Sequence, residues 1–314
     1  MDDFATVLKK GFTGMAKSPV LIVAGLASGI VTAIMLLQYS QPATEYLNGQ
    51  WEWVVIVYML VATFVLPAII LPFLIGGALG GAVAQASGGK ASWGLFLKSG
   101  AKNYLNLLIA GIGAIIINLL LYSIYTEMIE FGYLAPILML VVFVAGAVIW
   151  FAGLMFTEFY DIAIVADGAD FIRAFPVSIE FVRRHLSTVV PFFVIVITAK
   201  ILAQLPIYMA FMFKFMALVL ANVTYDANGT INETSMNATI ANMSMINSTN
   251  STDLMLQVSH FSLPSIAFIA LFQGLIQSIV FAFVVSYKAE FYQWVKNRRN
   301  ITDFDYDFSA EKKE

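Results

Sequence analysis

The chain has 314 residues, 60% of them hydrophobic and only 12% charged. Soluble domains carry about 25% charged residues, so this chain has too little polar surface to coat a water-soluble globule and needs lipid around it. A net charge of -3 argues against a nucleic-acid partner, and the lack of cysteine removes disulfides, thiolate catalysis and cysteine-ligated metal or iron–sulfur centres.

A helix that crosses about 30 Å of hydrocarbon needs about 20 mostly apolar residues, because only a helix satisfies its own backbone in lipid. Six stretches meet that length, predicting spans over about 19–39, 53–86, 105–125, 134–156, 189–220 and 264–287. The first follows Lys9, Lys10 and Lys17, as a signal peptide would. Its apolar run exceeds the roughly 7–15 residues of a signal core, so it reads as an uncleaved anchor. Pro67 and Pro72 should kink the second span. Short connections make the first and second spans, and the third and fourth, helical hairpins.

Basic residues flank the chain ends and alternate loops: Lys90, Lys98 and Lys102, then Arg173, Arg183 and Arg184, then Lys288, Lys296, Arg298 and Arg299. The intervening loops hold only acids, namely Glu45, Glu52, Glu127, Glu130, Asp226, Glu233 and Asp253. Cytoplasmic loops retain positive charge, which predicts a multi-pass protein of the cell membrane with both termini cytoplasmic. The acceptor pattern Asn-x-Ser/Thr occurs at Asn222, Asn228, Asn232, Asn237, Asn242, Asn247 and Asn250, all in the one long outer loop, 221–261. These are candidate glycosylation sites, and an unmodified polar linker is the alternative. Asn300 lies in the same pattern on the inner side and should stay bare.

Ahead of each odd-numbered span stands a short segment with an aromatic residue, an apolar one four later and a small one three after that. The instances are Phe4/Leu8/Gly11, Trp93/Leu97/Gly100 and Phe171/Phe175/Ser178. Such spacing puts the three residues on one helical face beside basic residues, the pattern of an interfacial helix on anionic headgroups. The fold class expected is therefore all-α integral membrane, a six-helix bundle of three parallel repeats, each an interfacial helix plus a transmembrane hairpin. The repeats run over about 1–86, 87–165 and 166–299 of a single membrane domain, 1–299, followed by a cytoplasmic tail, 300–314. That tail alternates acid and aromatic from Asp303 to Phe308, which reads as a docking peptide or as a solubilising extension.

The stretches GAVAQASGGKASWGLFLKSG (81–100) and DIAIVADGADFIRAFPVS (161–178) resemble the linkers of a broad prokaryotic, mainly archaeal, group of poorly characterised six-span proteins. That group is similar to the membrane domain attached to some glycerophosphodiester phosphodiesterases. The resemblance implies no catalytic residues here, and the soluble phosphodiesterase domain is absent.

Lys200 falls near the predicted midplane of the fifth span, where a lysine costs about 2.5 to 3.5 kcal/mol. Gln204 follows one turn on, Gln273 and Gln277 repeat the spacing in the sixth span, and Asn118 reaches similar depth in the third. If these faces meet, Lys200 could receive an anionic group. The alternative is interhelical hydrogen-bond glue at about 0.6 kcal/mol per contact. Lys214, nearer the outer end, should snorkel. Gly25/Gly29, Gly76/Gly80 and Gly77/Gly81 are small-residue pairs suited to close helix packing. Glu158, Asp161, Asp167 and Asp170 read as a solvated cluster near Arg173, with cation binding or proton transfer as the alternative.

His185 and His260 are too far apart in sequence for a histidine metal motif. Gly89-Lys90-Ala91 lacks the first glycine and the hydroxyl of a phosphate loop, and hydrolase motifs are missing. No cofactor and no catalysis are expected. A scaffold or assembly component is the preferred function; a transporter or lipid-handling protein binding an anion near Lys200 is the alternative. Expected partners are membrane lipids and a protein docked on the tail or interfacial helices.

Overall fold

The computed structural model describes residues 4–37, 61, 65–132, 136–221 and 263–298. They form α1 (Phe4–Lys17), α2 (Pro19–Leu36), α3 (Leu66–Ala86), α4 (Trp93–Gly132), α5 (Pro136–Thr157), α6 (Tyr160–Asp167), α7 (Phe171–Arg184), α8 (Leu186–Ala221) and α9 (Leu263–Arg298). No strand occurs among the described residues. Six segments are long and apolar enough to cross a membrane: Pro19–Leu36, Leu66–Ala86, Trp93–Ile124, Phe143–Asp167, Leu186–Lys214 and Pro264–Asn297. The chain is a multi-pass membrane protein, as its composition predicts. The seven candidate glycosylation asparagines, the first part of the second span and the segment 300–314 lie outside the described residues.

Local chemistry sets the helix ends. Ser18 caps α2, accepting the Leu21 amide at 3.4 Å, with Pro19 at the first helical position, where its missing N–H costs nothing. Ser92 caps α4 through the Leu95 amide at 3.3 Å, and Asp170 caps α7 through the Arg173 amide at 2.8 Å. After α3 and α6 the chain reverses at Gly88 (φ 85°) and Gly168 (φ 70°), conformations that a side chain would strain.

The three segments expected to be interfacial helices are not alike in continuity. α1 and α7 are separate helices, divided from α2 and α8 at Ser18 and His185. The segment at Trp93/Leu97/Gly100 instead runs unbroken into the third span as the first turns of α4, 40 residues long, or about 60 Å at 1.5 Å per residue. Between Lys98 and Leu105 there is neither proline nor cap to stop it.

Two compact units arise within the chain. The first comprises Met1–Gly25, Ala68–Thr198 and Phe281–Glu314, the second Leu26–Pro67 and Ala199–Val280. At the core of the first, rings stack: Phe192 lies 4.3 Å from Phe291 and 4.8 Å from Tyr287, and Phe159 lies 4.8 Å from Phe181. Leu107 and Ala110 of α4 bury with Ile164 of α6 and Ala174 of α7.

The small residue of each interfacial motif sits against an even-numbered span. A Cβ on Gly11 would stand 2.8 Å from Tyr287 Cα, and one on Gly100 would stand 2.9 Å from the Phe73 carbonyl oxygen. Ser178, fully buried, donates its hydroxyl to the Phe156 carbonyl and accepts from the Phe159 amide. The seats thus fall on the sixth, second and fourth spans in turn. Gly76, Gly77 and Gly80 of α3 face Leu107, Phe96 and Ser99 of α4, so this glycine stripe is a helix-packing surface.

In the second unit, α2 and α9 touch backbone to backbone. A Cβ on Gly29 would collide with the Gly274 carbonyl and the Ser278 hydroxyl, and one on Gly274 would stand 2.7 Å from the Gly29 oxygen. Ile207 and Ile266 close the core beyond, with Leu36, Leu37, Phe211 and Ile269 packed around them.

Candidate functional site

The fourth span is interrupted. α5 ends at Thr157, Glu158 and Phe159 form a turn, and α6 restarts at Tyr160. A break inside an apolar span leaves backbone groups that lipid cannot satisfy, and here side chains from two other helices take them. Ser178 of α7 serves the Phe156 carbonyl and the Phe159 amide. Lys288 of α9 donates to the Glu158 carbonyl at 2.7 Å.

The same ammonium is held by two carboxylates. Lys288 Nζ is 2.8 Å from Glu158 Oε1 and 3.0 Å from Asp161 Oδ2, and the three side chains are 6%, 9% and 14% exposed. Glu158 stands in the turn and Asp161 in the first turn of α6, and both reach the same ammonium. Further along α9, Tyr292 donates its hydroxyl to the Asp167 carboxylate, and Lys296 Nζ lies 2.8 Å from Asp167 Oδ1. Lys288, Tyr292 and Lys296 recur every fourth residue, one stripe of α9 facing one acidic edge.

This corrects the reading of those acids as a solvated cluster near Arg173. Arg173 pairs with Asp170, its own cap, at 3.8 Å on the exposed end of α7, whereas Glu158, Asp161 and Asp167 face α9. With Lys288 between them, the two buried carboxylates are committed to an internal cation. Among the described residues no group of histidine or acidic side chains is placed to hold a metal ion. On the outer face of α7, Arg184 Nε donates to Glu180 and holds that exposed carboxyl below the ordinary carboxylate range.

The mid-span polar residues separate. Gln273 is fully buried and donates to the Ala203 carbonyl and, at 3.1 Å, to Gln204 Oε1. Its own Oε1 has no hydrogen-bond partner among the described residues. Gln277, one turn on, is half-buried. Lys200 lies midway along Leu186–Lys214 and is exposed. Lys214 is half-buried. Asn118 turns back on its own helix, donating to the Ala114 carbonyl at 2.7 Å.

Sequence reasoning missed Lys288, since a lysine at the end of a span counts toward loop charge. The four-residue stripe on α9 was the available signal. No curated protein and no solved structure matches this chain. One family model does, over residues 4–295, which include every helix from α1 and nearly all of α9: the chain belongs to the family described as a domain of unknown function, DUF7847.

Proposed function

We propose that the chain is a non-catalytic scaffold or assembly component of the cell membrane, with both termini cytoplasmic and the 221–261 loop glycosylated outside. The observation that supports this reading is the use made of the charged residues inside the spans. Lys288 is spent on Glu158, Asp161 and a freed carbonyl, and Asp167 on Tyr292 and Lys296. Such pairs act as struts between helices, and breaking one strands a buried charge. The backbone contact of Gly29 with Gly274 and the Gln273 bonds point the same way, toward packed helices. The likeness of 81–100 and 161–178 to archaeal six-span proteins, and to the membrane domain beside some glycerophosphodiester phosphodiesterases, fits a membrane part without chemistry of its own.

The tagged chain, extracted from its native membrane in mild detergent, is expected to carry a partner protein in fixed ratio. Glycosidase treatment should raise its gel mobility. A chain that elutes alone, and that in liposomes gives saturable anion flux abolished by Lys200→Met, overturns the scaffold reading in favour of transport. The feature that supports transport is Lys200 itself, exposed midway along its span and one turn from Gln204.

A further inference from the structure

We infer that α1, the first turns of α4 and α7 together form a binding surface for anionic phospholipid headgroups. This rests on the membrane-spanning architecture and not on the scaffold reading.

The first observation is a surplus of cations. Lys9 and Lys17 on α1, Lys98 and Lys102 on α4, Lys90 just before it and Arg183 on α7 are all exposed. None forms an ion pair with an acidic side chain among the described residues, and only Arg183 lies near an acid, Glu180. The acids on these segments, Asp170 and Glu180, are each taken by an arginine of the same helix. All six cations belong to the first unit, and their segments sit against the sixth, second and fourth spans through Gly11, Gly100 and Ser178. The cations therefore all stand on segments packed against spans of one compact unit.

The second observation is the order of residues around each exposed strip. Each segment buries one side: Val7, Gly11 and Gly14; Phe96, Gly100 and Asn103; Ala174, Ser178 and Phe181. On the opposite side, at 3.6 residues per turn, large apolar groups and most of the cations take separate flanks, Arg183 lying beside Ile172. Phe12 (55% exposed) lies on one flank of α1 and Lys10 and Lys17 on the other. Trp93 and Leu97 oppose Lys98 and Lys102 on α4, while Ile172 (68%) and Ile179 oppose Arg173 and Arg184 on α7. An exposed strip graded from aromatic or aliphatic to basic fits the boundary between acyl chains and headgroups, where the apolar flank enters and the cations meet phosphate. A soluble acidic protein would leave Trp93, Leu97 and Ile172 in water. The occupant is thus the bilayer's own phosphate-bearing lipid carrying net negative charge.

The full chain is reconstituted with equal amounts of phosphatidylglycerol and phosphatidylcholine, and the lipids it retains are counted by native mass spectrometry. The wild type is expected to retain phosphatidylglycerol in several-fold excess at low salt. The excess should shrink by about fivefold for each cation removed from a lipid's site and fade as salt is raised. Lys9→Gln, Lys17→Gln, Lys98→Gln and Arg183→Gln combined should abolish it. Because all four residues are exposed, the variant should keep the wild-type elution profile and helix content. A variant with Phe12→Ser and Ile172→Ser keeps every charge and should also lose part of the excess. Equal retention of the two lipids by the wild type, or an excess that survives in the quadruple variant, overturns the proposal.

Discussion

Lys288 and Glu158 lie 130 residues apart in the chain and meet twice, ammonium to carboxylate at 2.8 Å and ammonium to backbone carbonyl at 2.7 Å. One side chain of α9 thereby closes both the charge and the backbone of a broken span. Lys288→Met strands two buried carboxylates and a carbonyl and should cost about 3–5 kcal/mol. Unfolding in detergent followed by circular dichroism measures it. Adding Glu158→Gln and Asp161→Asn removes the stranded charge and should recover part of the loss. A single variant as stable as the wild type would show that the pair holds nothing.

Ser178 bridges the break from the other side. Ser178→Ala leaves the Phe159 amide and the Phe156 carbonyl without their partner in a fully buried place, a loss of about 1–3 kcal/mol. Hydrogen exchange at the Phe159 amide is the sharper readout and should speed up while amides in α2 keep their rates.

Two glycines should respond in opposite senses. Gly29→Leu drives a side chain into the Gly274 carbonyl and should destabilise by about 1–3 kcal/mol or more. Gly94, with nothing within 4 Å of its Cβ position, should accept alanine and gain about 0.5–1 kcal/mol. Thermal melting of the two variants side by side tests this, and equal effects would refute the backbone contact.

Gln273 and Lys200 divide the mid-span polar set. Gln273→Leu removes bonds to Ala203 and Gln204 and should cost about 0.6 kcal/mol. Lys200→Met takes an exposed charge off the helix and should raise membrane-inserted yield, since a central lysine opposes insertion by about 2.5–3.5 kcal/mol. A lower yield for Lys200→Met would mean that the charge is needed for folding.

The six spans were legible because crossing hydrocarbon is a demand on length and composition, which a sequence displays directly. The Gly29 contact was legible in kind, as a small-residue pair, but not in partner. The Lys288 cluster was hidden for a physical reason: an ion pair between distant helices leaves no local pattern. Glu158 and Asp161 next to Arg173 look solvated until α9 is placed beside them. For Lys200 the cost of a charge in a span speaks to depth, while the rotation of α8 fixes facing. Gln204, one turn away, turns partly inward and Lys200 does not. The continuity of α4 was only partly readable: Lys98 to Leu105 holds no proline, but its Ser99 and Asn103 are capping residue types whose side chains bond to Gly76 and Ser99 instead.

The contact of Gly11 with Tyr287 carries a consequence for biosynthesis. In synthesis α1 precedes α9, so Gly11 waits through the intervening spans before its seat on Tyr287 exists. Until then Gly11 lacks that seat, while Gly14 already meets Gln85 of α3. Chains halted before α9 would display the unseated Gly11, together with the uncompensated acids of Glu158 and Asp161, to the cell's membrane quality control. Arrival of α9 acts as a clasp, fastening α1 and the broken fourth span to one helix at once.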